Sequence, residues 1–335
     1  MAPSEMTALA LNQRSWLEIL FNAIQGKGIS HGVSVKKVQR LSIRPSELLV
    51  KVYSVACNPT DVAHIDIVGP AHSIVSCDYS RVVEEVRAAA TELWKVGDRI
   101  AGVVHGGLFP DKGAFAEYLK VPSDLAWRPP PSMSHQNAST YGISAVTAMQ
   151  ALYTKLDVPW PGSNNSTPTN STILVYAGST TASLFAIQLS KLSGYTVVTN
   201  CSPHNFDLVK SYGADAVYDY HSISALEDIK KDYPNLKRAF DGISLKESTR
   251  FCFSAVEKSG GKVVVLLDTV KAGRKPGVEI IYILMYTLLG EPFAFVKPIG
   301  PSFKAEPADR EALEKFYKNL RLKWCQEDLT VCWEH

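Results

Sequence analysis

Paired cysteines are missing from this chain. Its six cysteines, Cys57, Cys77, Cys201, Cys252, Cys325 and Cys332, form no C-x-x-C pair and match no zinc-ligand spacing. That excludes a disulfide scaffold and points to free thiols in a reducing compartment. A long apolar run is missing too. The most apolar window, residues 278–296, is interrupted by Glu279, Gly290, Glu291 and Pro292 and is too short to cross a bilayer. Residues 1–12 lack the basic start and apolar centre of a secretory signal, so a cytoplasmic protein without a membrane partner is expected. The net charge is only +2, which gives no footprint for nucleic acid. Neither a G-x-S-x-G elbow nor a Walker loop occurs.

What is present is a chain of 335 residues, 46% hydrophobic and 20% charged, long enough for one large or two ordinary domains. Roughly the first 130 residues read as short strands and turns. Residues 47–55 and 81–86 are valine-rich runs, Val96-Gly97-Asp98-Arg99 is a turn into a strand, and Gly113–Tyr118 is another. Residues 134–153 have helical spacing, and residues 159–172 read as an exposed loop.

From Ile173 the rhythm changes to alternating strands and helices. Strands are predicted near 173–176, 196–199, 216–218, 238–241 and 262–267, with helices at 182–193, 205–212, 224–233 and 246–258. Gly194, Gly213 and Gly260 stand where left-handed helix caps are needed. The fold class is therefore α/β, with a doubly wound parallel sheet of Rossmann type beside a β-rich domain.

The turn Ala177-Gly178-Ser179-Thr180-Thr181-Ala182-Ser183 follows the first of these strands and opens a helix. Only Gly178 of the G-x-G-x-x-G pattern is present. Small residues let the backbone approach a pyrophosphate, and hydroxyls at a helix N-terminus add donors. A plain Ser/Thr cap is the alternative reading. The second strand ends Asn200-Cys201-Ser202-Pro203-His204-Asn205, with no acid for a ribose 2′-hydroxyl. Ser202 and His204 can donate to a 2′-phosphate, which favours NADPH. Tyr220 is placed to pack on an adenine or to cover the core.

Asn58-Pro59-Thr60-Asp61, Val96-Gly97-Asp98-Arg99, Gly113 to Tyr118, Gly142-Ile143-Ser144 and Ser179 to Ser183 resemble the zinc-free branch of the medium-chain dehydrogenase/reductases. More narrowly, Ser190-Lys191-Leu192-Ser193-Gly194-Tyr195, Cys201 to Leu208 and Asp219-Tyr220 resemble the fungal trans-acting enoyl reductases of polyketide biosynthesis, of the lovastatin-pathway type. Cys77-Asp78-Tyr79 stands where zinc-dependent relatives carry Gly-His-Glu. The resemblance implies NADPH-dependent reduction of an α,β-unsaturated thioester on the acyl carrier protein of a polyketide synthase or a synthase–peptide synthetase hybrid. It implies a GroES-like catalytic domain over 1–145, completed by 297–335, and a Rossmann NADPH-binding domain over 146–296.

By the same resemblance, Thr60, Asp61 and Ala63 lie beside the cofactor. Ser179, Thr180, Thr181, Ala182 and Ser183 hold its phosphates, and Ser202, Pro203, His204, Asn205 and Tyr220 hold its adenosine half. Val146, Thr147, Ala148, Met149, Gln150, Ala151, Leu152 and Tyr153 line the acyl pocket, with a second wall of Ile281, Tyr282, Ile283, Leu284 and Met285. Both apolar stretches read equally well as core.

Three positions depart from the family pattern. Ala63 replaces a lysine: either that lysine is dispensable, or His64, Tyr141 or water takes its place, or the chain is an impaired accessory protein. A general quinone or enone reductase is the third reading. Arg81 replaces a small residue, either crowding the strand packing or pointing to solvent. Residues 324–335 lack the Gly-Gly turn and the Ser-Gly-x-Lys strand, which reads as a truncated catalytic domain.

Overall fold

The computed structural model describes residues 4–13, 17–18, 21, 24–25, 32–163, 171–268, 276–297 and 300–320. The segment read as a truncated tail and the middle of the 159–172 loop lie outside these residues. The chain divides into two compact units. One is Met1–Ile143 together with the described part of Tyr286–Glu327, and the other is built on Ser144–Met285. The units part at 143/144 and 285/286, against the sequence expectation of 145/146 and 296/297.

The first unit opens with an antiparallel pair, β1 (Glu5–Leu11) and β2 (Val33–Gln39), in register from Glu5↔Gln39 to Leu11↔Val33. A four-stranded antiparallel sheet follows. Its strands are β3 (Glu47–Ala56), β4 (Asp78–Val86), β5 (Arg99–Val103) and β6 (Tyr118–Pro122), in the order β5-β4-β3-β6. Two register shifts in the β3–β4 ladder, after Leu49 and after Val52, bend the sheet around its own core. That core is Leu48, Val50, Tyr79, Val83, Ile100, Leu119 and Val121.

The Val-Gly-Asp-Arg string is a structural knot. Gly97 adopts φ +89°, and Asp98 Oδ2 accepts from the Lys95 N–H (3.0 Å) and from the Arg128 guanidinium (2.8 Å). A short helix, α1 (Pro59–Ala63), runs into a π-helical turn, His64–Val68. The predicted helix over 134–153 is broken into α2 (His135–Ser139), α3 (Ile143–Met149) and a π-helical turn, Gln150–Lys155. The break at Thr140–Gly142 lets the Ile143 N–H donate to Asp78 Oδ1 at 2.7 Å, a carboxyl oxygen where α3 starts.

The second unit carries six parallel strands. These are β7 (Thr172–Tyr176), β8 (Thr196–Cys201), β9 (Ala216–Asp219), β10 (Arg238–Asp241), β11 (Gly261–Val265) and β12 (Val278–Tyr282). Helices α4 (Thr181–Leu192), α5 (Phe206–Ser211), α6 (Ala225–Asp232) and α7 (Lys246–Ala255) connect the first five strands. The order β12-β11-β10-β7-β8-β9 is the doubly wound arrangement. The chain runs outward from β7 through β8 to β9, then returns to β10 on the other side of β7. That reversal opens a crevice at the carboxyl ends of β7 and β10.

The edge strand β12 is a sixth strand beyond the five predicted, and residues assigned to a pocket wall begin in it. Gly194 (φ +79°) and Gly213 (φ +104°) cap α4 and α5 as expected. Gly260 has φ +76° but sits in the turn before β11, since α7 ends at Ala255. The returning segment adds β13 (Phe293–Ala294), β14 (Ser302–Phe303) and α8 (Pro307–Asn319) to the first unit.

Arg81 does not point to solvent. It is fully buried, donates to Ala114 O at 3.0 Å, and lies 5.3 Å over the Tyr79 ring. Its Nε and Nη1 have no hydrogen-bond partner. Burial pushes its pKa down to about 9. A base with a depressed folded pKa costs stability while it stays charged, so the penalty is present at neutral pH. Arg81→Met should therefore raise Tm at pH 7, by the equivalent of about 1–4 kcal/mol. A calorimetric melt showing a fall of several degrees would contradict this.

Candidate functional site

In the second unit the site is built on the turn after β7. Ala177 takes φ +57°, and its N–H donates to Asn200 Oδ1 at 2.8 Å, while the Gly178 N–H donates to Asn200 O at 2.9 Å. Asn200 thus stitches the turn to the end of β8. A Cβ on Gly178 would lie 2.2 Å from Thr199 Oγ1, a hydroxyl fixed by donating to Val175 O at 2.5 Å. Thr180 is the N-cap of α4. Its Oγ1 donates to Ser183 Oγ (2.9 Å), and Ser183 Oγ donates to Tyr176 O (3.1 Å). These two hydroxyls therefore hold the turn's shape. Ser179, Thr181 and Ala182 are half-buried at the helix N-terminus.

The opposite lip is Gly242, just past β10. A Cβ there would lie 2.2 Å from Ser183 Oγ and 3.0 Å from Thr180 Oγ1. Both lips of the crevice must therefore lack side chains, and a helix N-terminus aims its N–H groups into the space. That cradle fits a pyrophosphate. Asp241 shapes the second lip. Its Oδ1 accepts from the N–H groups of Ile243 (3.1 Å) and Ser244 (2.8 Å), and its Oδ2 from the hydroxyls of Ser248 and Thr249 (both 2.9 Å). Sequence reasoning placed β10 but passed over Asp241 and Gly242. The one available signal was an Asp-Gly pair closing a predicted strand.

Ser202, Pro203, His204, Asn205 and Tyr220 come together at the carboxyl ends of β8 and β9. Ser202 leads into a 3-10 turn, Pro203–Asn205, in which Pro203 and His204 are exposed. The Tyr220 N–H donates to Cys201 O at 3.3 Å, and its half-open ring lies against His221 at 3.8 Å. β8 ends without an acid. The carboxylate beside it in the ladder is Asp219, whose Oδ1 accepts from the His221 N–H at 3.0 Å.

The residues assigned to an acyl pocket behave differently. Val146, Thr147, Ala148, Met149, Gln150, Ala151, Leu152 and Tyr153 are all buried. Tyr153 donates to Leu189 O at 3.2 Å and stacks on Trp160 at 4.4 Å. Ile283 and Met285 are buried, whereas Tyr282 at the end of β12 is exposed. Ile281 and Leu284 are half-buried.

In the first unit, Thr60, Asp61 and Ala63 sit on α1. The Asn58 N–H donates to Asp61 Oδ2 at 2.7 Å, and the Asn58 Nδ2 donates to Asp78 Oδ2 at 2.9 Å. A Cβ on Gly142 would meet Asp78 Oδ1 at 2.1 Å. Burial pushes the Asp78 carboxyl up to about 8 and Asp61 up to about 6. Ala63 is exposed.

His64 is a core residue. Its Nδ1 donates to Thr60 O at 2.8 Å, and its ring packs edge-on to Tyr286, His105 and Phe295. Tyr141 is fully buried against Trp127. The hydroxyl on this pole that sequence reasoning missed is Tyr286, 2.7 Å from Thr60 Oγ1. Among the described residues no cluster of three or more His, Cys, Asp or Glu side chains is placed to hold a metal ion.

Residues 44–131 match the family model of the alcohol dehydrogenase GroES-like domain. A trans-enoyl reductase of Cochliobolus carbonum is 43% identical over 256 residues, 75% of this chain and 84% of that protein. One from Aspergillus sclerotiorum is 37% identical over 267 residues, 75% of this chain and 74% of that protein. Among solved structures, the enoyl reductase CurK superposes with a TM-score of 0.71 at 14% identity, over 98% of this chain and 90% of that one. The quinone oxidoreductase of Coxiella burnetii superposes with a TM-score of 0.65 at 19% identity, over 95% and 88%.

The buried carboxyl of Asp78 makes a pH prediction. Its folded pKa lies above the ordinary value, so its stabilising contribution is complete below about pH 4 and is lost as pH rises through about 8. Tm of the parent should fall more steeply between pH 5 and 9 than Tm of Asp78→Asn. Parallel melting curves for the two proteins across that range would contradict the assignment.

Proposed function

The chain belongs to the trans-enoyl reductase family, within the medium-chain dehydrogenase/reductase fold, and on that premise we propose an NADPH-dependent enzyme that reduces an enoyl thioester held on the acyl carrier protein of a polyketide synthase. It is a trans-acting enoyl reductase, an oxidoreductase that uses a nicotinamide cofactor and works with a synthase. No helix among the described residues is long and apolar enough to cross a membrane.

The observation that supports NADPH over NADH is the end of β8. Ser202 and the exposed His204 stand where an NAD site carries an acid. Ser179, Thr180, Thr181, Ala182 and Ser183 form the turn for the pyrophosphate, with Gly178 and Gly242 as bare lips. Ser202, Pro203, His204, Asn205 and Tyr220 receive the adenosine half. Thr60, Asp61 and Ala63 belong to the reacting end, with the 146–153 and 281–285 stretches as acyl-side walls.

The cofactor supplies a hydride for the β-carbon of the alkene. The chain's share is to hold charge where it develops. Reduction leaves negative charge on the thioester oxygen, and a proton must reach the α-carbon. That stage calls for a fixed donor in a dry site. Neither His64 nor Tyr141 presents one to the surface.

The experiment is a comparison of cofactor binding. NADPH should bind the purified chain at least about tenfold more tightly than NADH, the value of one charge-assisted hydrogen bond. His204→Ala should weaken NADPH by a similar factor and leave NADH unchanged. Equal affinities for the two cofactors in the parent would refute the NADPH assignment. Turnover of carrier-bound enoyl groups but not of free enones separates this reading from a general enone reductase.

A further inference from the structure

The crevice of the second unit is bordered by strained backbone. Among the described residues of that unit three non-glycines take a positive φ: Asp157 (+54°), Ala177 (+57°) and Ser244 (+59°). Two of the three flank the bare lips, Ala177 beside Gly178 and Ser244 two residues past Gly242. A side chain on such a backbone is unfavourable and persists only where its surroundings hold it.

Ser244 is fully buried, and its N–H donates to Asp241 Oδ1 at 2.8 Å. Its hydroxyl bridges two strand ends. The N–H of Leu266, just past β11, reaches Oγ at 2.7 Å, and Oγ lies 2.8 Å from Asp241 O at the end of β10. Chemistry fixes both directions. An amide N–H can only donate and a carbonyl can only accept, so the single hydroxyl proton goes to Asp241 O. A glycine would relieve the backbone but could not make this bridge. The β10–β11 ladder ends at Asp241↔Val265, and the bridge carries the connection one residue further.

On its other side the lip is tied to β7. The Gly242 N–H donates to Tyr176 O at 3.3 Å, the same carbonyl that accepts from Ser183 Oγ at 3.1 Å. The lip is thus fastened to both neighbouring strands while it packs on the first turn of α4, where a Cβ on Gly242 would meet Ser183 Oγ at 2.2 Å.

We infer that Ser244 is a positioning residue for the dinucleotide: its hydroxyl clamps the Gly242 lip to β11 and so holds the pyrophosphate cradle in its binding shape before the cofactor arrives. This inference rests on the nicotinamide-cofactor reading. Ser244 acts through Gly242 rather than by touching the cofactor. A preformed cradle costs less to occupy than one that must be ordered on binding. NADPH and NADH share the pyrophosphate, so loss of the clamp weakens both equally, whereas His204 discriminates between them.

The test is calorimetric titration of the purified chain with NADPH and with NADH at about 10 °C, near the temperature at which folded domains are most stable, beside a thermal melt. Ser244→Ala removes the bridge and keeps the strain, and Ser244→Gly removes both. Ser244→Gly should melt above Ser244→Ala by about 2 °C. Both variants should bind NADPH about fivefold more weakly than the parent, the value of one net hydrogen bond, and NADH by the same factor. An equal loss in two variants of different Tm is what a merely structural serine would not give. A Ser244→Gly protein with the parent's affinity overturns the clamp, because any loss in Ser244→Ala would then follow the strain and not the hydroxyl. A loss confined to NADPH overturns it as well. If Ser244→Ala does not fold, Ser244→Gly still decides on both counts. A parent chain that binds neither cofactor overturns the cofactor reading itself, and the clamp with it.

Discussion

The site depends on a steric constraint at the carboxyl ends of two neighbouring strands. Neither Gly178 nor Gly242 has room for a Cβ. A Cβ on Gly178 would run into Thr199, and one on Gly242 into the hydroxyls of Thr180 and Ser183, which are bonded to each other and to Tyr176 O. Adding a methyl group at either lip would push against a network that has no slack. The sheet brings the two glycines to neighbouring strand ends because its order reverses between β7 and β10.

The first unit is organised by polar groups that it cannot hydrate. Asp78 is fully buried and accepts from Asn58 Nδ2 and the Ile143 N–H, which fixes both the entry to α1 and the start of α3. Desolvation offsets much of what those bonds contribute, hence the raised pKa. The same core accepts an arginine with two unpartnered nitrogens. Holding such groups out of water costs the unit stability.

The nucleotide unit was legible in the sequence to a large degree, because strand and helix periods alternate cleanly from Ile173 to Leu267 and glycines mark two helix ends. The hydroxyl-rich turn and the acid-free end of β8 could be read for the same reason: they are local. What escaped was set by distance. β1 pairs with β2 across residues that carry no strand pattern. β12 lies in a window whose glycine and proline disguised a five-residue edge strand. The burial of Arg81 and His64 could not be told from exposure, since a lone polar residue in a strand or helix fits both. Tyr286 was invisible because its hydroxyl partner, Thr60, lies 226 positions away in the chain. Its nearest clue was the apolar segment ending at Met285.

The central claim is that this chain places hydride and proton across the double bond of a carrier-bound acyl chain. Mass spectrometry of an enoyl group on an acyl carrier protein, incubated with the purified chain and NADPH deuterated at the transferring position, tests it most directly. The account predicts one deuterium at the β-carbon and one solvent proton at the α-carbon. An acyl chain of unchanged mass, with NADPH bound, would contradict it.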